Sequence, residues 1–396
     1  MAANHTESGV STSKTPEFPE PLHVGRPNIG NRDRFLQRIN GMLDRRWLSN
    51  DGPLVKDFEH EIAAYVGVKH CISLCNATIG LEIAIRALEL KGEVIIPSYT
   101  FVATAHALKW QGVKPVFVDI DPKTHNIDPS EVERHITSRT SGIVGVHVWG
   151  TPCETELLEE IGRKHKLKVM YDAAHAFGCS RGETMVGNFG ECEVYSFHAT
   201  KFLNSLEGGA VVTNNDELAE KIRLMRNFGF QGYDRVVSLG MNGKMNEASA
   251  AMGLTSLESM NHFIGINSRN HECYRNKLER IEGVTLFERR DKGKHNYQYV
   301  VIEVDEEKFG RSRDEIVNEL HNHNVMARKY FWPGCHRMEP YATEDPDAAL
   351  SLPLTEKLAK QVIVLPTGES IDEEIISKIC RIIGIHPDKN GEEHPK

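Results

Sequence analysis

Long apolar runs are missing: nothing in the 396 residues approaches the roughly 18 consecutive apolar positions that a membrane-spanning helix requires. The first twenty residues are polar, rich in Ser, Thr, Glu and Pro, with no apolar stretch behind a basic start, so no secretory leader is read there. Basic excess is missing too. Forty-seven Lys and Arg stand against 56 Asp and Glu, a net charge of −9, which argues against a nucleic-acid surface because phosphate binding needs a basic footprint. A local basic pocket for one diphosphate stays open. The eight cysteines form no C-x-x-C pair, and the nineteen histidines show neither H-E-x-x-H nor zinc-finger spacing. Structural thiols in a reducing cytoplasm are therefore expected, and no metal site. Internal repeats and low-complexity linkers are absent as well.

What is present is a long alternation of two periodicities. Leu54 to Val66 repeats apolar residues (Val55, Phe58, Ile62, Val66) at three- and four-residue steps and predicts a helix. Cys71–Leu74 reads as a strand that breaks at Asn76-Ala77-Thr78, and helical periodicity returns over Ile79–Leu88. Strands follow at Val94–Ile96, Val116–Ile120, Ile143–Val148, Leu167–Tyr171, Val194–Phe197 and Ala210–Thr213, with helices over Phe101–Trp110 and Leu157–His165. Strands alternating with helices imply βαβ units and a mostly parallel sheet covered on both faces, an α/β fold. From Glu217 to Glu282 the pattern is helical. A smaller α+β unit then begins, with strands at Tyr297–Val304 and Val325–Lys329 and helices at Ser312–His321 and Ile371–Ile383. The expected division is a mobile tail over 1–20, a large cofactor-binding domain over 21–265, a small C-terminal domain over 266–386 and a mobile tail over 387–396, with the boundary running through a helix.

One segment concentrates chemistry: Ser196-Phe197-His198-Ala199-Thr200-Lys201, followed by Glu207-Gly208-Gly209. Most lysines are solvated, but Lys201 follows the carboxyl end of a buried strand, where open α/β sheets place ligands. Desolvation there depresses an ammonium pKa, so that the amine forms a Schiff base with an aldehyde cofactor. Thirty residues upstream, Tyr171-Asp172-Ala173-Ala174-His175 closes another strand. Asp172 reads either as a helix N-cap or as the carboxylate that keeps a pyridoxal ring nitrogen protonated. His175 is either a partner for that ring's phenolic oxygen or a satisfied interior histidine. Asn76-Ala77-Thr78 opens a helix whose free N–H groups favour a phosphate, though such turns are common. Phe101, in Pro97-Ser98-Tyr99-Thr100-Phe101, either stacks on the ring or fills the core.

Taken together, these segments resemble the sugar-nucleotide aminotransferases of the DegT/DnrJ family, a fold-type I group that uses pyridoxal 5′-phosphate. The resemblance runs from about Trp47 to Ile383 and includes W-L-S-N-D-G-P at 47–53 and M-N-G-K-M-N-E at 241–247. It implies Lys201 as the Schiff-base lysine, Asp172 on the pyridine nitrogen, His175 on the ring oxygen, Ala77, Thr78 and Ser196 on the phosphate, and Phe101 over the ring. It also implies a homodimer with shared active sites, in which Asn242 reaches the phosphate of the neighbouring subunit. Two departures stand out: Leu206 where many members have Gly, and Asn242-Gly243-Lys244 where many have Asn-Tyr-Arg. The second bears on the substrate pocket near the subunit interface.

Within the family the resemblance points to the subgroup that aminates a dTDP-linked 4-keto-6-deoxy sugar at C-4, giving dTDP-4-amino-4,6-dideoxyglucose, with glutamate as amino donor. It rests on His23-Val24-Gly25-Arg26-Pro27, Gly145–Gly150, Asn296–Tyr299, Tyr330–His336 and Leu365–Gly368. Close relatives differ in whether C-3 or C-4 is aminated, and a packed-loop reading stays open for each substrate residue that follows. Arg26 is expected to pair with a diphosphate, His147 and Trp149 to line the pocket from a strand end, and Tyr330 to His336 to cover a sugar or base. Sugar C-3 dehydratases of similar sequence carry His in place of the lysine, which Lys201 argues against. A non-catalytic protein on the same scaffold is the reading from another class.

The two readings of Asp172 separate experimentally. As a helix cap, Asp172→Asn is nearly silent, because Asn caps about as well as Asp. As the pyridine partner, the same change removes the charge while keeping the shape, and turnover falls by several orders of magnitude with folding intact. The measurement is kcat beside Tm for that variant.

Overall fold

A computed structural model describes residues 15–289, 292–387 and 393–395. In its first part run β1 (Leu22–His23), α1 (Arg32–Arg45), α2 (Pro53–Val66), β2 (His70–Leu74), α3 (Ala77–Ala87), β3 (Glu93–Pro97), α4 (Val102–Trp110), β4 (Lys114–Val118), α5 (Pro129–Arg134), β5 (Thr140–Val146), α6 (Thr155–His165) and β6 (Lys168–Asp172). The pair β7 (Ser180–Arg181) and β8 (Thr184–Met185), then β9 (Glu193–Ser196), β10 (Gly209–Thr213), α7 (Asp216–Arg226), β11 (Phe230–Gln231), β12 (Arg235–Val236), α8 (Glu247–Glu258) and α9 (Met260–Leu278) follow.

Seven of these strands make one sheet in the order β2-β10-β9-β6-β5-β3-β4. All pairs are parallel except those of β10, which runs antiparallel to both β2 and β9. β10 reverses because the chain returns from β9 through a short loop that ends at Gly208-Gly209. The inner strands are unbroken buried apolar runs, as a sheet covered on both faces demands. One face packs against α3, α4 and α7 through Ile83, Ala105 and Leu218. The other packs against α2 and α8, where Phe58 meets Phe197 edge-on at 5.3 Å, and, further along, against α6 through Leu158 and Ile161. Local signals start the helices: Pro53 opens α2, and Asn76 accepts from the Ile79 N–H to cap α3.

The second part comprises β13 (Val284–Leu286), β14 (Val300–Val304), α10 (Glu306–Phe309), α11 (Arg313–Asn322), β15 (Val325–Met326), α12 (Glu339–Ala342), α13 (Pro353–Ala359), β16 (Val362–Leu365), α14 (Glu373–Ile383) and the strand pair β17 (Ile385–Pro387) and β18 (Glu393–Pro395). β13, β14 and β16 form an antiparallel sheet with its own apolar core.

Several elements differ from the sequence reading. Residues 217–282 are not uniformly helical: β11 and β12 pair antiparallel between α7 and α8. The strand expected at Val325–Lys329 stops at Met326, because Arg328 makes a single bridge to Val364 instead. The N-terminal tail expected over 1–20 is too long. Residues 1–14 lie outside the described residues, but Phe18 is buried in the second core and β1 pairs parallel with β15. The tail expected over 387–396 contains β18, paired with β17. A line drawn between 265 and 266 falls inside α9, which sets Met260 and Phe263 in the first core and Tyr274 and Leu278 in the second. The second unit therefore takes residues from ahead of the first, which a contiguous division misses. Among the described residues no helix is long and apolar enough to cross a membrane, and none of the eight cysteines is in a disulfide.

Candidate active site

The carboxyl ends of β2, β3, β5, β6 and β9 reach the same edge of the sheet, and the expected cofactor residues collect there. Lys201 sits in a tight loop after β9: its N–H donates to the His198 carbonyl at 2.8 Å, and Phe197 exchanges backbone bonds with Gly208 and Ser205. The loop buries the amine, which lies 3.3 Å from the Tyr299 hydroxyl. Burial lowers the Lys201 pKa to about 8, against the opposing pull of the Asp172 carboxylate and of Tyr330.

Asp172 closes the neighbouring strand β6. Its Oδ1 accepts from the Ala174 N–H at 3.0 Å and its Oδ2 from the Thr104 hydroxyl at 2.8 Å. No helix follows it, only turns, so the N-cap reading fails and the carboxylate instead tightens an Asx turn. Burial raises its pKa, while Thr104, Ala174, Lys201 and His147 oppose the rise. His175, three residues on, is buried, and burial, with Lys201 adding to it, holds its pKa well below the ordinary value. Its Nδ1 accepts from the Trp149 N–H at 3.3 Å. A neutral ring accepting at Nδ1 carries its proton on Nε2.

A third corner lies where α3 begins. The Ala77 and Thr78 N–H groups are in the helix's first turn and have no carbonyl within the helix to bond. Gly209 presses on them: a Cβ there would lie 2.6 Å from the Ala77 nitrogen and 2.7 Å from the Asn76 carbonyl carbon. Only glycine lets β10 pass so close, and half-buried Ser196 is its register partner on β9. Phe101, 59% exposed ahead of α4, is not a core residue. It lines a cleft of about 350 Å³ with Tyr330, Phe331 and Trp332.

The residues present fit pyridoxal 5′-phosphate. The start of α3, pressed by a glycine, suits a phosphate; a buried carboxylate suits a ring nitrogen; a histidine N–H suits a phenolic oxygen; and an amine of pKa about 8 suits an aldehyde.

The substrate residues fare less evenly. Arg26 is exposed, and its neighbour Gly25 approaches Thr200 closely enough that a Cβ would touch the threonine Cβ at 3.0 Å. Tyr330 is half-buried and within electrostatic reach of Lys201. Three expectations need correction. His147 is 0% exposed, on the sheet face opposite Asp172. Its ring stacks on Tyr171, its Nδ1 accepts from the Cys153 N–H, and its Nε2 meets Glu193 at 3.0 Å. Trp149 is 1% exposed and donates to His125 at 3.0 Å; it supports His175 rather than touching a ligand. His336 is 2% exposed and clamped between Ser98 and Glu356, each at 2.7 Å. Asn242 is exposed, beside Gly243, whose carbonyl accepts from Cys75. Within one chain it touches neither Lys201 nor Asp172 among the described residues.

Three contributors escaped the sequence reading. Thr104 holds Asp172, and Tyr299 meets Lys201. Asn28 donates to the Phe202 carbonyl at 3.2 Å while its own carbonyl accepts from Asn204 at 2.7 Å, strapping residues 24–29 over the Lys201 loop. The alternation Tyr297-Gln298-Tyr299 ahead of an apolar strand was the available signal for Tyr299; a threonine on a helix and an asparagine in a loop offered none.

The architecture is that of the fold-type I aminotransferases. A model of the DegT/DnrJ/EryC1/StrS aminotransferase family matches residues 30–384, and the chain belongs to that family, whose aminotransferases depend on pyridoxal phosphate. The chain is 38% identical over 364 residues to the dTDP-4-amino-4,6-dideoxy-D-glucose transaminase of Shigella dysenteriae, with 92% of this chain and 98% of the relative covered. It is 36% identical over 371 residues to the Escherichia coli enzyme of the same name, covering 91% and 98%. Among solved structures, DesI, crystallised in the presence of its TDP-sugar product, matches with a TM-score of 0.88 at 45% identity over 93% of each chain.

The depressed Lys201 pKa makes the cofactor-free protein's reactivity depend on pH near neutrality. A protonated amine cannot attack an aldehyde. With a pKa of about 8, about a tenth of Lys201 is neutral at pH 7 and half near pH 8. The rate of covalent cofactor uptake by the apoprotein should therefore rise from pH 6.5, pass its midpoint near 8 and level off above 9, as followed by stopped-flow absorbance. A rate still climbing tenfold per pH unit at pH 9.5 would contradict the buried-amine geometry.

Proposed function

We propose that this aminotransferase binds pyridoxal 5′-phosphate at the sheet edge and moves an amino group from glutamate to a nucleotide-linked keto-sugar. The substrate we propose is dTDP-4-keto-6-deoxy-D-glucose, aminated at C-4. The observation that carries the chemistry is the desolvated amine of half-buried Lys201 in the field of the buried Asp172 carboxylate. The choice of sugar is supported by the two transaminases of 38% and 36% identity along almost their whole length and by the likeness to DesI.

In this reading the first-turn N–H groups of Ala77 and Thr78, with the Ser196 hydroxyl, bind the cofactor phosphate. Asp172 orients the ring and holds a proton on its nitrogen; His175 donates from Nε2 to its phenolic oxygen; Phe101 covers one face. When bound, the cofactor supplies an aldehyde for the amino group and an electron sink for the adjacent carbon. Lys201 is the base and acid that takes and returns the proton at the carbon bearing the amine. A pKa near the working pH suits both halves of that task. The exposed Arg26, beside the Lys201 loop, pairs with the substrate diphosphate. Donor and acceptor alternate in one pocket, so the kinetics are ping-pong.

The test is a panel of dTDP-, UDP- and GDP-linked 3-keto and 4-keto sugars incubated with glutamate and the holoenzyme, products being identified by mass spectrometry and NMR. Amination of the dTDP-linked sugar at C-4 is expected, with Lys201→Ala inactive and lacking a borohydride-reducible link to the cofactor. Amination at C-3 only, or of a GDP sugar only, would refute the substrate assignment. A reducible link at normal stoichiometry in Lys201→Ala would refute the choice of lysine.

We further propose a homodimer in which exposed Asn242 binds the cofactor phosphate of the partner subunit. Loss of a hydrogen bond to a charged group costs roughly 1.5–3 kcal/mol, so Asn242→Ala should weaken cofactor binding by about ten- to a hundredfold. A fully active monomer by light scattering would remove this part of the reading.

A further inference from the structure

Asp172 faces a chain of two threonine hydroxyls. Thr104 Oγ1 lies 2.8 Å from Asp172 Oδ2 and 3.1 Å from Thr100 Oγ1. Thr100 and Thr104 are each 1% exposed and Asp172 is 6% exposed, so solvent does not substitute for any member of the chain. A hydroxyl has a single proton and an ionised carboxylate only accepts. The Thr104 proton therefore points at Asp172, and the Thr104 oxygen is left to accept the proton of Thr100. Each bond in such a chain polarises the next.

A threonine inside a helix ordinarily turns its hydroxyl back on its own helix's carbonyls. Thr104 instead directs its proton across the interface between α4 and β6, to a carboxylate whose charge burial disfavours. The charge on Asp172 has four supports: the Ala174 N–H on Oδ1, the Thr104 hydroxyl on Oδ2, and, through space, Lys201 and His147. Lys201 provides this support only while it is protonated, and its reaction role requires it to lose the proton. The Ala174 bond belongs to the turn and reaches the other oxygen. That leaves Thr104 as the side-chain donor to Asp172 that does not change its protonation during turnover.

We propose that the Thr100–Thr104 hydroxyl pair is a positioning device for Asp172: it fixes the carboxylate plane and keeps the group ionised, so that the proton stays on the cofactor's ring nitrogen throughout the reaction. The inference rests on the proposed role of Asp172 and deepens it; Thr104 itself touches neither cofactor nor substrate in this assignment.

The experiment compares Thr104→Val, which keeps the β-branched shape, with Thr104→Ser, which keeps the hydroxyl. The readouts are the cofactor Kd of the apoprotein by fluorescence quenching, the pH profile of the bound cofactor's absorption, and kcat with KM. Thr104→Val should bind cofactor roughly ten- to a hundredfold more weakly, the order expected for one hydrogen bond to a buried charge. It should also displace the absorption profile and lower kcat at unchanged KM for the sugar nucleotide. Thr104→Ser should recover all three to within a few-fold. Unchanged cofactor affinity and absorption profile in Thr104→Val would overturn the proposal, and so would failure of Ser to rescue, which would mark a packing role. Should Thr104→Val not fold, Thr100→Val removes only the outer hydroxyl; a smaller shift in the same direction supports the proposal and no shift overturns it. Asp172→Asn separates the two levels: inactive Asp172→Asn beside normal Thr104→Val removes only this inference, whereas active Asp172→Asn removes the underlying reading.

Discussion

The site depends on placing two opposite charges at the ends of neighbouring strands where water is scarce. Burial works against both: it lowers the Lys201 ammonium to a pKa of about 8 and raises the Asp172 carboxyl. Their attraction opposes each shift, and the balance leaves an amine with a pKa of about 8 beside a carboxylate that accepts from a backbone N–H and a threonine hydroxyl. A solvated version of the same pair would leave Lys201 protonated and chemically idle. The rest of the architecture serves to keep this edge closed without filling it.

Closure comes from both cores. The strap over residues 24–29 crosses the Lys201 loop and is fixed by Asn28 and Asn204. From the second sheet, Glu303 on β14 meets the His125 Nε2 at 3.1 Å, and His125 Nδ1 accepts from Trp149. Trp149 in turn supplies the N–H that sets the proton position on His175 and stacks on its ring. It is the backbone N–H of Trp149 that faces His175 Nδ1, while the indole N–H of the same residue is held by His125. Tyr299, at the mouth of the same strand, meets the Lys201 amine. The second unit is a wall of the site, which explains why α9 runs through both cores instead of ending at a hinge.

Three residues expected in a pocket turned out to be framework, for one shared reason. His147 and Trp149 follow a strand end and His336 lies in a helical turn after an aromatic loop, but position along the chain says nothing about which face or neighbour receives the side chain. His147 follows β5 on the face of Tyr171, opposite Asp172, and there completes a buried pair with Glu193. His336 is bound through both ring nitrogens, to Ser98 and to Glu356. In each case a complete set of hydrogen-bond partners within the protein leaves the ring nothing to offer a ligand.

The sequence by itself determined the class of fold, because periodicity reports burial: unbroken apolar runs alternating with amphipathic helices admit little besides a covered parallel sheet. It also singled out Lys201 and Asp172, by their place at the carboxyl ends of strands read as buried. Tertiary structure alone decided the rest. The pairing of β10 with β2, the burial of Phe18 in the second core and the face taken by His147 are outcomes of packing between segments far apart in the chain. Whether Asp172 capped a helix or a turn depended on whether a helix followed, and the proton positions on His175 and Thr104 depended on partners more than 25 and nearly 70 residues away. A hydroxyl carries no sequence signature of the carboxylate it will meet, because that meeting exists only once the chain has folded.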